Sequence, residues 1–283
     1  MYQEAGVKAT LRNVFSKNYN KKNILLYYSI FIIAYIVLLI LSLKTLQESI
    51  FAQVLSGLVL VFTMIFSMGI YGVAIHNAIL KRKGVFPDPY KNIGKAITIS
   101  LSTLIGLFIN SILLIIPIGL CGALTYKGIS TGNVVIVVLS TVITIFSFFI
   151  AIIFLKYLML NYFFRLKFKA FFEYKRAFHF LFKEKIAPMF LYPISSMLLQ
   201  FVVSLMLTPI LFVINILITI LSSTTLFSET NSFVDLIVIF VLFASMFIFD
   251  AELSGQLGRI IFNKELEIIN KKRKEKALQK QGV

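Results

Sequence analysis

The sequence is poor in the residues that most enzymes use for chemistry. Its 283 residues include two histidines, one cysteine and no tryptophan, and only 12 residues are acidic. Metal sites and catalytic sites need histidine, cysteine or carboxylate side chains that converge at fixed spacings. No such spacing, nucleophile motif or phosphate-binding loop occurs, so we expect no catalytic site, no metal and no cofactor. The lone Cys121 excludes an intrachain disulfide, and we expect it to be a small packed residue.

Apolar residues, by contrast, are abundant. They make up 59% of the chain and charged residues 14%, with a mean hydropathy of +0.91, whereas a soluble domain has about 45–50% and about 25%. The apolar residues form six long blocks, each able to cross a hydrocarbon core about 30 Å thick. The sequence therefore predicts an all-α polytopic membrane protein with six transmembrane helices in three hairpins. The predicted spans are 24–43, 50–75, 97–120, 134–160, 188–222 and 233–253.

The connections between these spans leave one ambiguity. Short outer loops are predicted at 44–49, 121–133 and 223–232. The fifth block contains Pro193 and Pro209, which favour kinks. It is either one long kinked helix or a broken pair of shorter helices.

Positive charge dominates the segments on one side of these spans. The chain has 28 Lys and Arg residues and a formal net charge of +16. All of them except Lys44 and Lys127 fall in four segments, 1–23, 76–96, 156–187 and 255–283, which six crossings place on the same side. Because basic loops stay in the cytoplasm, we expect both termini there and a location in the bacterial cytoplasmic membrane.

The cytoplasmic segments are predicted to lie against the membrane surface. At helical spacing, residues 162–186 show an aromatic face and a basic face, which favours a single interfacial helix on anionic headgroups. Residues 1–23 are predicted to be a basic segment, and residues 255–283 a basic amphipathic tail. Aromatic and basic residues also suit single-stranded nucleic acid, but beside two spans we expect lipid and no nucleic acid. The candidate contacts with lipid or a membrane-protein partner are Arg165, Lys167, Lys169, Lys175, Arg176, Phe168, Phe171 and Phe172.

A few polar residues lie within the predicted spans. Asn110, Gln200 and Asn215 are uncharged and either join helices by hydrogen bonds or line a substrate path. Asp250 is the deepest carboxylate, with Lys156 as its suggested partner. Close helix approach is predicted at Gly69, Gly72 and Gly106.

Three short motifs carry a resemblance to a known family. They are the turn Phe86-Pro87-Asp88-Pro89, the aromatic and basic stretch Phe171–Phe182, and Gln256-Leu257-Gly258-Arg259 after the sixth span. With the six-span layout, they resemble an uncharacterised six-helix integral membrane family of bacteria and archaea. That family is distantly similar to the membrane domain of glycerophosphodiester phosphodiesterases. The resemblance implies the same six-helix fold and no activity, because the phosphodiesterase catalytic domain has no counterpart in this chain.

Three hypotheses of function follow. The leading one is a non-enzymatic scaffold or accessory subunit that engages anionic lipid or a membrane partner through its basic, aromatic cytoplasmic face. The second is a small permease, or permease subunit, for a lipid-like or apolar solute, with a cavity near Asn110, Gln200 and Asn215. The third is a membrane-embedded enzyme, which needs polar groups to converge at the inner interface. Its candidates are His76, Asp88, His179 and Asp250.

Overall fold

The computed structural model describes residues 6–16, 19–41, 49–81, 85–180, 186–222 and 231–280. Over these ranges the chain is helical and contains no β-strand. Two 3₁₀ turns, Tyr90–Asn92 and Phe168–Phe172, lie between the α-helices. The α-helices are α1 (Val7–Val14), α2 (Lys21–Leu41), α3 (Ile50–Ile79), α4 (Ile93–Ser130), α5 (Val134–Arg165), α6 (Tyr174–His179), α7 (Ile186–Ser222), α8 (Asn231–Ile261) and α9 (Asn263–Lys280).

Six of these helices are long and apolar enough to cross a membrane. They are α2, α3, α4, α5, α7 and α8, and each contains an apolar window of at least 18 residues. A helix satisfies its backbone polar groups by hydrogen bonds within its own segment, so it is stable where no water is available. The prediction of an all-α polytopic membrane protein is confirmed.

The fifth predicted span is one continuous helix. Helix α7 runs through both Pro193 and Pro209. Each proline removes one backbone hydrogen bond, a loss that transmembrane helices tolerate when neighbouring groups satisfy the freed carbonyl. The alternative of a broken pair of helices is therefore wrong for these residues.

The hairpin between α4 and α5 is much tighter than predicted. The outer loop expected at 121–133 is wrong, because α4 continues to Ser130. The chain then reverses at Gly132, whose φ of +66° favours glycine. The side chain of Asn133 accepts a hydrogen bond from the Ile136 amide at 3.2 Å and caps α5. The glycine ends α4 and the asparagine begins α5, so the connection between them is only a turn.

The helix predicted over 162–186 is also interrupted. Helix α5 ends at Arg165, and Leu166 follows in the left-handed conformation with φ +52°. The 3₁₀ turn and the short helix α6 come next. A left-handed residue cannot continue an α-helix, so the aromatic and basic residues do not share the faces that one helix would give them.

The first residues of the predicted tail continue helix α8. This helix runs to Ile261, and Leu257 in its last part is buried. In α9, which follows, apolar and charged residues alternate around the helix without forming a distinct apolar face. The tail is therefore not amphipathic over α9, and its boundary at residue 255 stays a prediction.

The chain forms two compact units, Met1–Ser100 with Tyr192–Val283, and Leu101–Leu191. In the first unit, α8 packs most extensively on α3 and also contacts α1 and α2. Glycines permit close approach of helices in this unit: a Cβ at Gly255 of α8 would lie 2.3 Å from the Ala78 Cβ of α3, and one at Gly69 of α3 would lie 2.0 Å from the Ala96 carbonyl oxygen of α4. In the second unit, the second 3₁₀ turn and α6 both pack against α5.

Candidate functional site

A buried carboxylate lies near the end of α8 in the first unit. Glu252 is 2% exposed. Its Oε1 accepts hydrogen bonds from Asn13 Nδ2 at 2.9 Å, Gln256 Nε2 at 3.2 Å and Arg259 Nη2 at 3.1 Å. Its Oε2 accepts one from the Tyr19 hydroxyl at 2.8 Å. We call these five residues the Glu252 cluster.

The sequence of α8 brings three of the five residues of the Glu252 cluster together. Glu252, Gln256 and Arg259 are spaced by four and three residues, so they lie on one face of the helix. Asn13 and Tyr19 come from the N-terminal segment, where the Gly6 amide also donates to Gln256 Oε1 at 3.2 Å. Arg259 donates in addition to the Ala78 carbonyl oxygen of α3. The cluster thus joins α1, α3 and α8.

Burial decides the protonation of the tyrosine in this cluster. It raises the pKa of Tyr19 well above its usual value, and the nearby Glu252 charge raises it further. Tyr19 is therefore a neutral donor at ordinary pH. Just after α3, burial and the charge of Arg259 lower the pKa of Lys81.

A second carboxylate, Asp250, lies one half-turn earlier on α8. Its Oδ1 accepts hydrogen bonds from the hydroxyls of Tyr192 at 2.6 Å and Ser196 at 3.4 Å, both on α7. Its Oδ2 accepts from Tyr71 of α3 and from Ser254 at 3.0 Å. These four hydroxyls tie three helices to one carboxylate. This arrangement suits helix packing more than acid–base chemistry.

The suggested partner of Asp250 was Lys156. That lysine belongs to the other compact unit, and the pairing stays a prediction.

The second unit contains a comparable carboxylate, Glu173, whose ion pairs are more exposed. Glu173 accepts from Arg165 Nη1 at 2.8 Å and lies 3.6 Å from Arg176 Nη1. Asn161 Nδ2 donates to Glu173 Oε2 at 3.1 Å and to the Ala170 carbonyl at 2.9 Å. We call Glu173, Arg165, Arg176 and Asn161 the Glu173 cluster. It closes the turn that follows α5.

Phe171 anchors the same turn from the inside. Its ring is fully buried and stacks on Tyr162 with centroids 4.5 Å apart. The ring occupies the space left by Gly106, where a Cβ would lie 2.5 Å from it. Asn110 Nδ2 donates to the Gly106 carbonyl at 2.7 Å and to the Phe171 carbonyl at 3.4 Å. The prediction of Phe171 as a lipid contact is wrong, because the turn directs this ring into the unit.

The remaining candidates for lipid contact divide by exposure. Lys167, Phe168, Lys169 and Lys175 are exposed, and Phe172 is half-buried. We call the four exposed residues the lysine face. Arg165 and Arg176 are partly exposed and engage Glu173, and their contact with lipid stays a prediction.

The candidate polar residues within the spans have different surroundings. Asn110 is 1% exposed and bonded to backbone, as described above. Gln200 is exposed on α7. Asn215 lies outside the residues whose side chains the structure describes.

The candidates for an enzyme site have separate structural roles. Asp88 accepts hydrogen bonds from the amides of Tyr90 at 3.0 Å and Lys91 at 3.3 Å, so it caps the first 3₁₀ turn. His76 is buried in α3, and His179 is exposed at the end of α6. Among the residues that the structure describes, no three His, Cys, Asp or Glu side chains are grouped so that they could hold a metal ion.

The Glu252 cluster was not predicted from the sequence. Two signals pointed to it: the Glu252, Gln256 and Arg259 spacing on one helical face, and a tyrosine, Tyr19, just before an apolar span. Neither signal shows that the N-terminal segment folds back over α8.

Comparisons with protein-family models, with curated proteins and with solved structures found no match for this chain. The resemblance to the membrane domains of glycerophosphodiester phosphodiesterases therefore stays a prediction.

Proposed function

We propose that this polytopic membrane protein is a non-enzymatic scaffold or accessory subunit that binds anionic lipid headgroups through its lysine face. One observation carries the proposal. Lys167, Phe168 and Lys169 are exposed on a turn whose next two residues, Ala170 and Phe171, are fully buried. Three neighbouring side chains are thus presented outward by an anchored backbone. Cations beside an aromatic ring suit the boundary between headgroups and acyl chains.

The charge distribution around the turn supports the same function. Glu173 is the one acidic residue in the sequence from Arg165 to His179, and it engages two arginines. Lys167, Lys169 and Lys175 point away from the buried core of the unit and are exposed. Each cation near an anionic surface contributes about 1 kcal/mol of attraction.

The side of the membrane is part of the proposal. The four basic segments would lie in the cytoplasm, with both termini, if the protein follows the bias of Lys and Arg toward cytoplasmic loops. The protein would then reside in the bacterial cytoplasmic membrane. Its lysine face would meet the anionic inner leaflet.

The alternative of a small permease has less support. It requires Asn110, Gln200 and Asn215 to line a common path. Asn110 is bonded to backbone and buried, whereas Gln200 is exposed on its helix. A cavity between α4 and α5, beside Thr125 and Thr144, and a groove between α2 and α3 both lack Asn110 and Gln200 in their walls.

Lipid binding can be tested by charge-matched variants. We expect Lys167→Gln/Lys169→Gln/Lys175→Gln to bind phosphatidylglycerol more weakly than the wild-type protein, by about fivefold in affinity per cation, and so to retain fewer of these lipids. The control, Lys8→Gln/Lys271→Gln/Lys272→Gln, removes the same charge from exposed lysines elsewhere. Native mass spectrometry from mixed phosphatidylglycerol and phosphatidylcholine particles counts the bound lipids.

Two results would contradict the proposal. Equal retention by both triple variants would show that only net charge matters. Unchanged lipid retention together with loss of a stoichiometric copurifying protein would assign the lysine face to a membrane-protein partner instead.

A further inference from the structure

An open-sided groove runs along the first unit between α2 and α3, at a distance in the chain from the lysine face. Its volume is about 470 Å³, within the range of about 300–1,000 Å³ that is typical of ligand sites. Aliphatic and aromatic side chains line it along its length. They include Ile30, Val37, Leu58, Phe62 and Ile93.

The polar atoms of the groove wall are already hydrogen-bonded within the protein. Thr63 donates its hydroxyl to the Val59 carbonyl at 2.7 Å. Tyr90, at one end, shares a hydrogen bond of 2.8 Å with Ser29. The interior of the groove therefore presents an apolar surface, which suits a hydrocarbon chain and not a polar solute.

The length of the groove suits part of an acyl chain. Along α2 the wall extends from Ile30 to Val37, which is about 10 Å at the rise of an α-helix. These residues lie in the middle of the predicted span 24–43, and Tyr90 lies at the end of the groove nearer the start of α2. Lys22 is about 12 Å before Ile30 along the helix, and half of a hydrocarbon core is about 15 Å, so an acyl chain can reach the groove from a headgroup at Lys22.

Positive charge is concentrated at that same end. Lys91 follows Tyr90 directly, and Lys22 lies two helical turns before Ser29 on the same face of α2; both lysines are exposed. The nearby carboxylate of Asp88 accepts the Tyr90 and Lys91 amides and caps the turn. The groove therefore has an apolar body and a cationic end.

We propose that this groove binds one acyl chain of an anionic phospholipid whose headgroup lies at Lys22 and Lys91. The apolar wall accommodates the hydrocarbon, and the two lysines select the phosphate-bearing, negatively charged headgroup. This site shares no residue with the lysine face. Its test and the test of the proposed function can therefore fail independently.

The absence of tryptophan from the chain allows a direct test. Phe62→Trp places a single reporter in the groove wall, and Met64→Trp places one on the same helix outside it, at a similar depth and also exposed. Each variant is reconstituted in vesicles of phosphatidylcholine that contain increasing amounts of phosphatidylglycerol with brominated acyl chains. Bromine quenches tryptophan only in contact range.

We expect the groove reporter to be quenched several-fold more than the fraction of brominated lipid predicts, and the control reporter to follow that fraction. Lys22→Gln/Lys91→Gln should lower the quenching of the groove reporter to that of the control reporter. The preference for phosphatidylglycerol should fall by about fivefold per lysine. Identical curves for the two reporters would overturn the site. Equal quenching of the groove reporter by brominated phosphatidylcholine would overturn the selection of an anionic headgroup.

Discussion

Two carboxylates in this protein have similar partners in different surroundings. Glu252 accepts hydrogen bonds from an asparagine amide and an arginine, and so does Glu173. The side chains of Glu252 and Arg259 are only 3% and 11% exposed. Those of Glu173, Arg165 and Arg176 are between 26% and 31% exposed.

This difference in burial predicts different roles. An ion pair in water gains little, because solvent screens it and two long side chains lose freedom. A buried pair has lost its hydration, so removing one partner leaves an uncompensated charge. We infer that the Glu252 cluster holds the N-terminal segment on α8. The Glu173 cluster only shapes a turn that Phe171 already anchors.

The largest effect is expected from Glu252→Gln. The change leaves Arg259 buried without its carboxylate and should reduce the free energy of unfolding by about 3–5 kcal/mol. Thermal unfolding in detergent micelles, followed by circular dichroism, measures the loss. Glu252→Gln/Arg259→Met removes both charges and should recover much of the stability. A double variant as unstable as the single one would show that the ion pair is not the cause.

Tyr19→Phe tests a neutral member of the same cluster. It removes a hydrogen bond to a charged acceptor, which contributes about 1.5–3 kcal/mol. It should also change the response to alkali. An unfolded tyrosine ionises near pH 10, whereas burial, and then Glu252, raise the pKa of folded Tyr19. The stabilisation by neutral Tyr19 is therefore complete below about pH 10 and declines as the pH rises above that value.

The measurement compares the free energy of unfolding of the wild-type protein and Tyr19→Phe between pH 7 and pH 11. Lysines titrate in the same range in both proteins, so the difference between the two curves isolates Tyr19. The wild-type curve should fall more steeply above pH 10, by up to about 1.4 kcal/mol per pH unit. Parallel curves would contradict a buried, neutral Tyr19.

The six spans could be predicted because long apolar blocks are a strong and local signal. The helix ends could not, since they depend on particular residues. Asn133 caps α5, and Gly132 provides the left-handed turn before it. The apolar blocks contain no equally clear signal for the extension of α4 to Ser130 or of α8 to Ile261.

The sites were predicted less well, for a tertiary reason. The helical periodicity of 162–186 placed Phe171 with the lipid-facing rings, but left-handed Leu166 breaks the helix and turns Phe171 onto Gly106. Two partners of Glu252, Asn13 and Tyr19, are more than 200 residues away in the chain. Contacts of that separation follow from packing and leave no periodic trace in one sequence.

The smallest effect is expected from Glu173→Gln. Its two arginines are close to solvent, so the loss should be about 0.2–1 kcal/mol per pair. Asn161 keeps its hydrogen bond to the Ala170 carbonyl, and Phe171 keeps its place against Gly106. Thermal unfolding of Glu173→Gln and of Glu252→Gln therefore compares the same substitution in two environments. If both variants lost equal stability, burial would not distinguish the two clusters, and the hydrated ion pairs would have to hold the turn after α5.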